Sequence, residues 1–222
     1  MSEGAPIIRS MTAARIALMF AFYGLARGQF LPAMQADDPA EFDAYIAVLK
    51  ATGKADAAAR FEAAWPKSGL LPHVYELVFE EKRAKGDVAG AIREGRRALE
   101  AAPGNVTVAM SLAGIYATQG QLKEAEKLVG EAEEMLRQFR VPRSVPLAEW
   151  ESRSAKIRAR SAAVRGLVAF KRDRVEEAIA RFEEAIRLAA EPSDHLRLGR
   201  LYQLQGRVEE ARKQFALAGA KP

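Results

Sequence analysis

Lys85 to Asn105 reads KGDVAGAIREGRRALEAAPGN, and Gln119 to Leu136 reads QGQLKEAEKLVGEAEEML. Set one over the other, Gly86 falls on Gly120, Val88 on Leu122, Ala91 on Ala125 and Ala98 on Ala132, each pair 34 residues apart. Towards the carboxyl end, Gly166, Ala178, Phe182 and Ala185 recur as Gly199, Ala211, Phe215 and Ala218 at an offset of 33. Upstream, Gly53 and Ala58 precede Gly86 and Ala91 by 33. A recurring period of this length identifies stacked supersecondary units, none of which buries its apolar face alone.

Each copy carries one internal grammar: an apolar helical face, a Gly or Asp turn, then a second helix. Val175, Ala178, Ile179, Phe182, Ala185, Ile186 and Ala189 lie on one stripe of an α-helix. Glu177 with Arg181, and Glu183 with Arg187, take the other face at i,i+4 spacing. The stripe returns as Leu122, Ala125, Leu128, Val129, Ala132, Met135 and Leu136. Alanine at the repeated positions lets two antiparallel helices approach closely, and a glycine between them can adopt the positive φ of a helix C-terminal cap. The composition agrees, with Ala at roughly one residue in five and Gly plus Pro too scarce for collagen-like or low-complexity chains.

The pattern resembles the tetratricopeptide repeat family. The last copy matches best, with Leu198-Gly199, Tyr202, Gly206, Ala211, Phe215 and Ala218 at the family's spacing. The copy before it has Asp173 where the turn glycine is usual, and the copy from Pro72 to Asn105 has Gly95 at the aromatic position. The resemblance implies an all-α fold, an α-solenoid of about five hairpins (residues 38–71, 72–105, 106–139, 147–191 and 192–222) forming a right-handed superhelix. It further implies a peptide-binding groove lined by first helices. By position, that groove takes His73, Glu76, Glu80 and Arg83, then Thr107, Met110, Ala117 and Thr118, then Arg160, Leu167 and Lys171, then Arg200 and Gln203. Glu76 and Glu80 stand where the carboxylate-clamping subclass needs Lys and Asn, which disfavours that adaptor role. No polar capping helix follows Ala220, so self-association through the last hairpin is an expectation.

The spacing breaks once, in an irregular joint with a long basic helix over residues 141–172. This separates N-terminal repeats over residues 39–140 from C-terminal repeats over residues 173–222. Pro142 and Pro146 interrupt the helix. From Leu147 no breaker appears until about Asp173, which predicts a helix of roughly 39 Å that projects from the solenoid or lies across it. Arg137 to Arg174 carries a net charge of +8 in a chain whose total is +5. Two readings follow. One is a docking segment for an acidic protein (Arg143, Arg153, Lys156 and Arg158, with Trp150 as aromatic anchor) or, as the alternative, for a polyanion or nucleic acid. The other is a solvated face that an exposed helix requires anyway. The basic residues do not alternate with exposed aromatics as single-strand binders require, so nucleic acid is the weaker reading.

Ile16 to Ala26 reads IALMFAFYGLA, uncharged and flanked by Arg15 and Arg27. It is too short to span a bilayer. It fits either a signal peptide within residues 1–28 or a buried helix. Residues 29–38 read as a linker. Export to the periplasm or outside the cell is expected if the segment is cleaved, and a cytoplasmic location if it is retained.

Catalytic chemistry is missing. With no cysteine there is no thiol nucleophile, zinc ribbon or disulfide. His73 and His195 lie more than a hundred residues apart at helix starts, where each reads as a partly exposed packing residue, so a metal site or triad is not expected. Thr52-Gly53-Lys54 lacks the upstream glycine of a phosphate loop and reads as a helix stop. Adjacent carboxylates such as Glu80-Glu81 point apart on a helix. Asn105-Val106-Thr107 fits a glycosylation acceptor only formally. The expected function is therefore a bacterial, non-enzymatic, cofactor-free protein-interaction scaffold or assembly factor.

Overall fold

The computed structural model describes residue 36, residues 38–139 and residues 146–219. The N-terminal segment, most of the linker and residues 140–145 lie outside it. The described residues form helices α1 (Pro39–Lys50), α2 (Lys54–Ala64), α3 (Leu71–Ala84), α4 (Val88–Ala101), α5 (Val106–Thr118), α6 (Leu122–Gln138), α7 (Leu147–Lys171), α8 (Val175–Leu188), α9 (Pro192–Leu204) and α10 (Val208–Leu217). Two compact units divide at Val108, inside α5. The irregular joint between α6 and α7 thus belongs to the second unit.

Four of the five hairpin turns are built alike. Gly86, Gly120 and Gly206 have positive φ of 71°, 80° and 72°. One residue further on, the amides of Asp87, Gln121 and Arg207 donate to the carbonyls of Lys82, Tyr116 and Tyr202 at 2.9 Å each. These bonds close the orphan carbonyls of the first helix and reverse the chain. Asp173 does the same at φ 59°, the one non-glycine with positive φ among the described residues, and Arg174 donates back to Ala169 at 3.0 Å. Asp is among the few side-chain-bearing residues that tolerate this region. The first hairpin turns differently. Gly53 is extended, and the Lys54 ammonium caps α1 by donating to the carbonyls of Leu49 and Ala51 at 3.0 and 3.1 Å. Glu81 accepts from the Lys54 amide at 3.1 Å.

Helix pairing depends on two positions, seven residues before each turn residue and nine after it. In the last two hairpins these are Gly166 with Phe182 and Gly199 with Phe215. A Cβ at Gly199 would meet the Phe215 ring at 2.7 Å, and one at Gly166 would meet Phe182 at 3.0 Å. In the second hairpin the sizes are inverted to Phe79 and Gly95, both buried, and α5–α6 uses Ala113 and Val129. By register Gly95 stands opposite Phe79, so this hairpin carries its large residue on the first helix and its small one at the usual aromatic position.

Carboxylates on second helices tie consecutive hairpins together. In the first unit Tyr75 donates to Glu62 at 2.9 Å, while Arg97 grips Glu62 at 2.6 Å and lies 4.2 Å from the Tyr75 ring centroid. In the second unit Glu133 accepts from Ser161 and from Arg165 at 2.7 Å, and Glu183 accepts from Tyr202 at 2.6 Å. Arg207 lies 4.2 Å from the Tyr202 ring centroid. Burial, reinforced by the Glu183 bond, pushes the Tyr202 phenol up to about 12. Burial pushes Glu133 up as well, but the hydrogen bonds from Arg165 and Ser161 outweigh it and hold the carboxyl below its ordinary range.

The last hairpin exposes Leu204, Val208 and Leu217 and also carries charge on its second helix. Ile179 on α8 is buried in the same cluster as Leu198, Leu201 and Tyr202 of α9. Thirty-three residues on, α10 has Arg212, which is exposed and paired with Glu209 at 3.2 Å. Where α8 has Ile186, the chain has Gly219, a turn residue just beyond the end of α10.

Gly199→Ala should lower unfolding stability by about 1–3 kcal/mol through overpacking, and adding Phe215→Leu should return part of the loss. Urea unfolding checks this, and an unchanged midpoint in the single variant would contradict the tight crossing. A carboxyl held below its ordinary value of 4.5 contributes stability above that pH and loses it as pH falls through the folded value. Glu133→Gln should therefore cost about 1 kcal/mol at pH 7, and the gap to the parent should close in unfolding curves taken below pH 4.5.

Candidate functional site

In the first unit the expected groove residues do not share one accessible face. Glu76 is only 8% exposed and accepts from Asn105 Nδ2 at 3.1 Å. Asn105, itself fully buried, uses its Oδ1 to accept from the Val108 amide at 3.1 Å, capping α5. Glu76 is thus an internal acceptor rather than a groove carboxylate, and Asn105 has both amide atoms engaged, which removes the glycosylation reading. His73 is buried at the start of α3, and His195 is buried with Nδ1 2.7 Å from Gln214 Oε1. Both were expected to be partly exposed, and both are buried, His195 against α10 of its own hairpin. Glu80 and Arg83 are at the surface and pair with each other at 2.6 Å, and Thr107 is half-buried.

In the second unit Met110 and Ala117 are core residues. Met110 reads as groove-facing by register, but its helix is buried around most of its girth. Thr118 is exposed and donates to the Gly114 carbonyl at 2.9 Å. Arg160 and Lys171 on α7, and Arg200 and Gln203 on α9, are exposed as expected, with Leu167 half-buried between the first two.

The long helix matches its predicted length, 25 residues, but does not project. From Ser154 onward it has buried positions, and it packs on α6 and most extensively on α8. Even its first turns are held, because Trp150 stacks on Phe139 at 4.9 Å between ring centroids. Trp150 is half-buried and stacked within this unit. Arg153 is bonded to Glu149.

Much of the linear charge surplus is cancelled in three dimensions. Arg165, Arg172 and Arg174 pair with Glu133, Glu126 and Glu177 at 2.7, 2.7 and 2.8 Å, and Arg137 with Glu134. The Arg172 guanidinium holds the Glu126 carboxyl below its usual range. Four of these acids come from outside the basic segment or its far edge, on α6 and α8, which the residue order of α7 alone does not reveal. Arg143 lies outside the described residues. Lys156, Arg158, Arg160 and Lys171 have no carboxylate partner among the described residues.

These four do not face one way. Lys156, Arg160 and Lys171 share one stripe of α7 by helical register, with Leu167 among them. Arg158 turns to the other side, into a groove of about 360 Å³ lined by Glu133, Leu136 and Arg137 of α6, Arg158, Ser161, Ala162 and Arg165 of α7, and Arg181, Glu184 and Leu188 of α8. No repeat signal marks this groove, since its residues stand at unequal registers in the three helices. Among the described residues there is no cluster of three or more His, Asp or Glu able to hold a metal, and no helix is long and apolar enough to cross a membrane.

Residues 82–141 match the tetratricopeptide repeat family model. Among solved structures, MamA from Desulfovibrio magneticus RS-1 (residues 41 to the end) is similar, at 15% identity and a TM-score of 0.57, over 82% of this chain and 95% of that one. A MamA double mutant aligns at 16% identity and a TM-score of 0.57, over 82% and 94%. PilF of Pseudomonas aeruginosa aligns at 19% identity and a TM-score of 0.53, over 82% and 80%. These likenesses show the fold. No curated protein matches the sequence. The matched family model runs from the end of α3 past α6, the same turn geometry recurs in the fourth and fifth hairpins, and the chain has the all-α helical-hairpin fold of these similar structures.

Proposed function

We propose that the chain is a non-catalytic scaffold whose second unit presents the basic first-helix stripe to an acidic segment of a partner protein. The fold supports a protein-interaction role in general, and proteins of this family are in general non-catalytic. The observation that carries the finer reading is the sign of the exposed charge. Beyond Ser152, every exposed charged residue of α7 is a cation, and on α9 the exposed charge is Arg200. None of Lys156, Arg160, Lys171 and Arg200 is neutralised among the described residues, so a complementary partner meets cations that need no prior bond broken. Such charges set specificity and association rate more than affinity. A nucleic-acid role is disfavoured, because the paired arginines leave few free cations and no interleaved exposed aromatic row for bases.

Reversing Lys156, Arg160 and Lys171 to Glu should reduce partner recovery in quantitative cross-linking from native cells by at least about tenfold, near 1.4 kcal/mol. A control reversal of the exposed Lys123 and Lys127 on α6 should leave it unchanged. Equal recovery by both variants would sink the reading, and salt-sensitive retention on duplex DNA at physiological ionic strength would favour the polyanion alternative.

We further propose export, on the strength of the uncharged Ile16–Ala26 run flanked by arginines. Intact mass and N-terminal sequencing of protein from extracytoplasmic fractions should show a start just after Ala26 or Gly28. A start at Met1 or Ser2 would overturn export.

A further inference from the structure

We infer that the groove bounded by α6, α7 and α8 is a second docking site, one that takes an acidic and aliphatic peptide segment of a partner. It rests on the scaffold reading and adds a surface separate from the first-helix stripe.

Three of the groove's four guanidiniums are committed: Arg137 to Glu134, Arg165 to Glu133 at 2.7 Å and Arg181 to Glu184 at 2.9 Å. Both lining carboxylates are thereby spent, Glu133 also accepting from Ser161. Arg158 has Ser154, Ala155, Ser161 and Ala162 at its helical neighbour positions, so its own helix offers no acid. One uncommitted guanidinium therefore remains beside Leu136, Ala162 and Leu188.

That combination selects an occupant. A planar guanidinium binds a carboxylate through two parallel bonds, stronger than neutral hydrogen bonds. A small inorganic anion would satisfy Arg158 and leave the aliphatic residues wet. Nucleic acid would need several free cations in a row, and here the others are paired. Along α7 the lining runs from Arg158 to Arg165, roughly 10 Å at 1.5 Å per residue. That matches about three residues of extended chain. A segment placing one carboxylate on Arg158 and a neighbouring aliphatic side chain on Leu136, Ala162 and Leu188 uses every feature of the groove.

The test titrates the ¹⁵N-labelled full chain with three capped hexapeptides: alternating Leu-Glu, alternating Leu-Lys and alternating Ser-Glu. The Leu-Glu peptide should shift the amides of Leu136, Arg158, Ala162 and Leu188, and the other two should not. Arg158→Gln should weaken that binding roughly tenfold, while Arg160→Glu, on the opposite stripe, should leave the groove shifts intact. Shifts confined to Lys156, Arg160 and Lys171 would overturn the groove as a site and leave the scaffold reading on the first-helix stripe. No shift at either surface would count against both. Groove shifts from Ser-Glu equal to those from Leu-Glu would overturn the aliphatic half of the assignment, and insensitivity to Arg158→Gln would overturn the electrostatic half.

Discussion

Two antiparallel helices can lie close only if the side chains at their crossing sum to a volume that fits, and in this chain that sum is kept while its division changes. Gly199 beneath Phe215 and Gly166 beneath Phe182 place the small residue on the first helix. Phe79 with Gly95 places it on the second, and Ala113 with Val129 splits the difference. Interiors are packed as densely as organic crystals, so total volume at a crossing is tightly constrained while the strand of chain that supplies it is not. Everything else follows from that separation: the buried alanine stripes, the turn lengths, and the faces left for the next hairpin.

Between hairpins the joinery is polar. Glu62, Glu133 and Glu183 each reach from a second helix to a hydroxyl on the following first helix, and arginines brace two of the three carboxylates directly. Arg97 holds the Glu62 carboxyl below its usual range, and Arg165 with Ser161 does the same for Glu133 against the opposing effect of burial. The same economy of charge shapes the surface. Cations that meet an acid across a helix boundary become structural, and those that do not remain available for recognition. Arg165 and Arg158 stand seven residues apart on one helix and fall into different classes for this reason alone.

The period, the turns and the apolar stripes were legible in the residues, because local backbone geometry and helical register are set by near neighbours in the chain. Even Asp173, a departure from the usual glycine, kept its turn, since its backbone visits the left-handed region that the position demands. Register was a poorer guide to exposure. His73, Glu76 and Met110 occupy positions that face a groove in a generic repeat, yet neighbouring elements bury all three. Trp150 reads as an aromatic anchor of the docking segment, and residue order does not reveal that Phe139, just beyond the end of α6, stacks on it.

By itself, then, the sequence determined an all-α chain of repeated hairpins, the length of its long helix and the absence of cysteine chemistry, all of which depend on composition and on contacts within about one period. Only the tertiary structure decided which arginines are spent and which are free, which polar groups are buried, and that a groove opens at Arg158. These depend on pairs such as Arg172 with Glu126 and Arg165 with Glu133. Electrostatic attraction acts through space, and residue order carries no record of which acid will lie a few ångströms away.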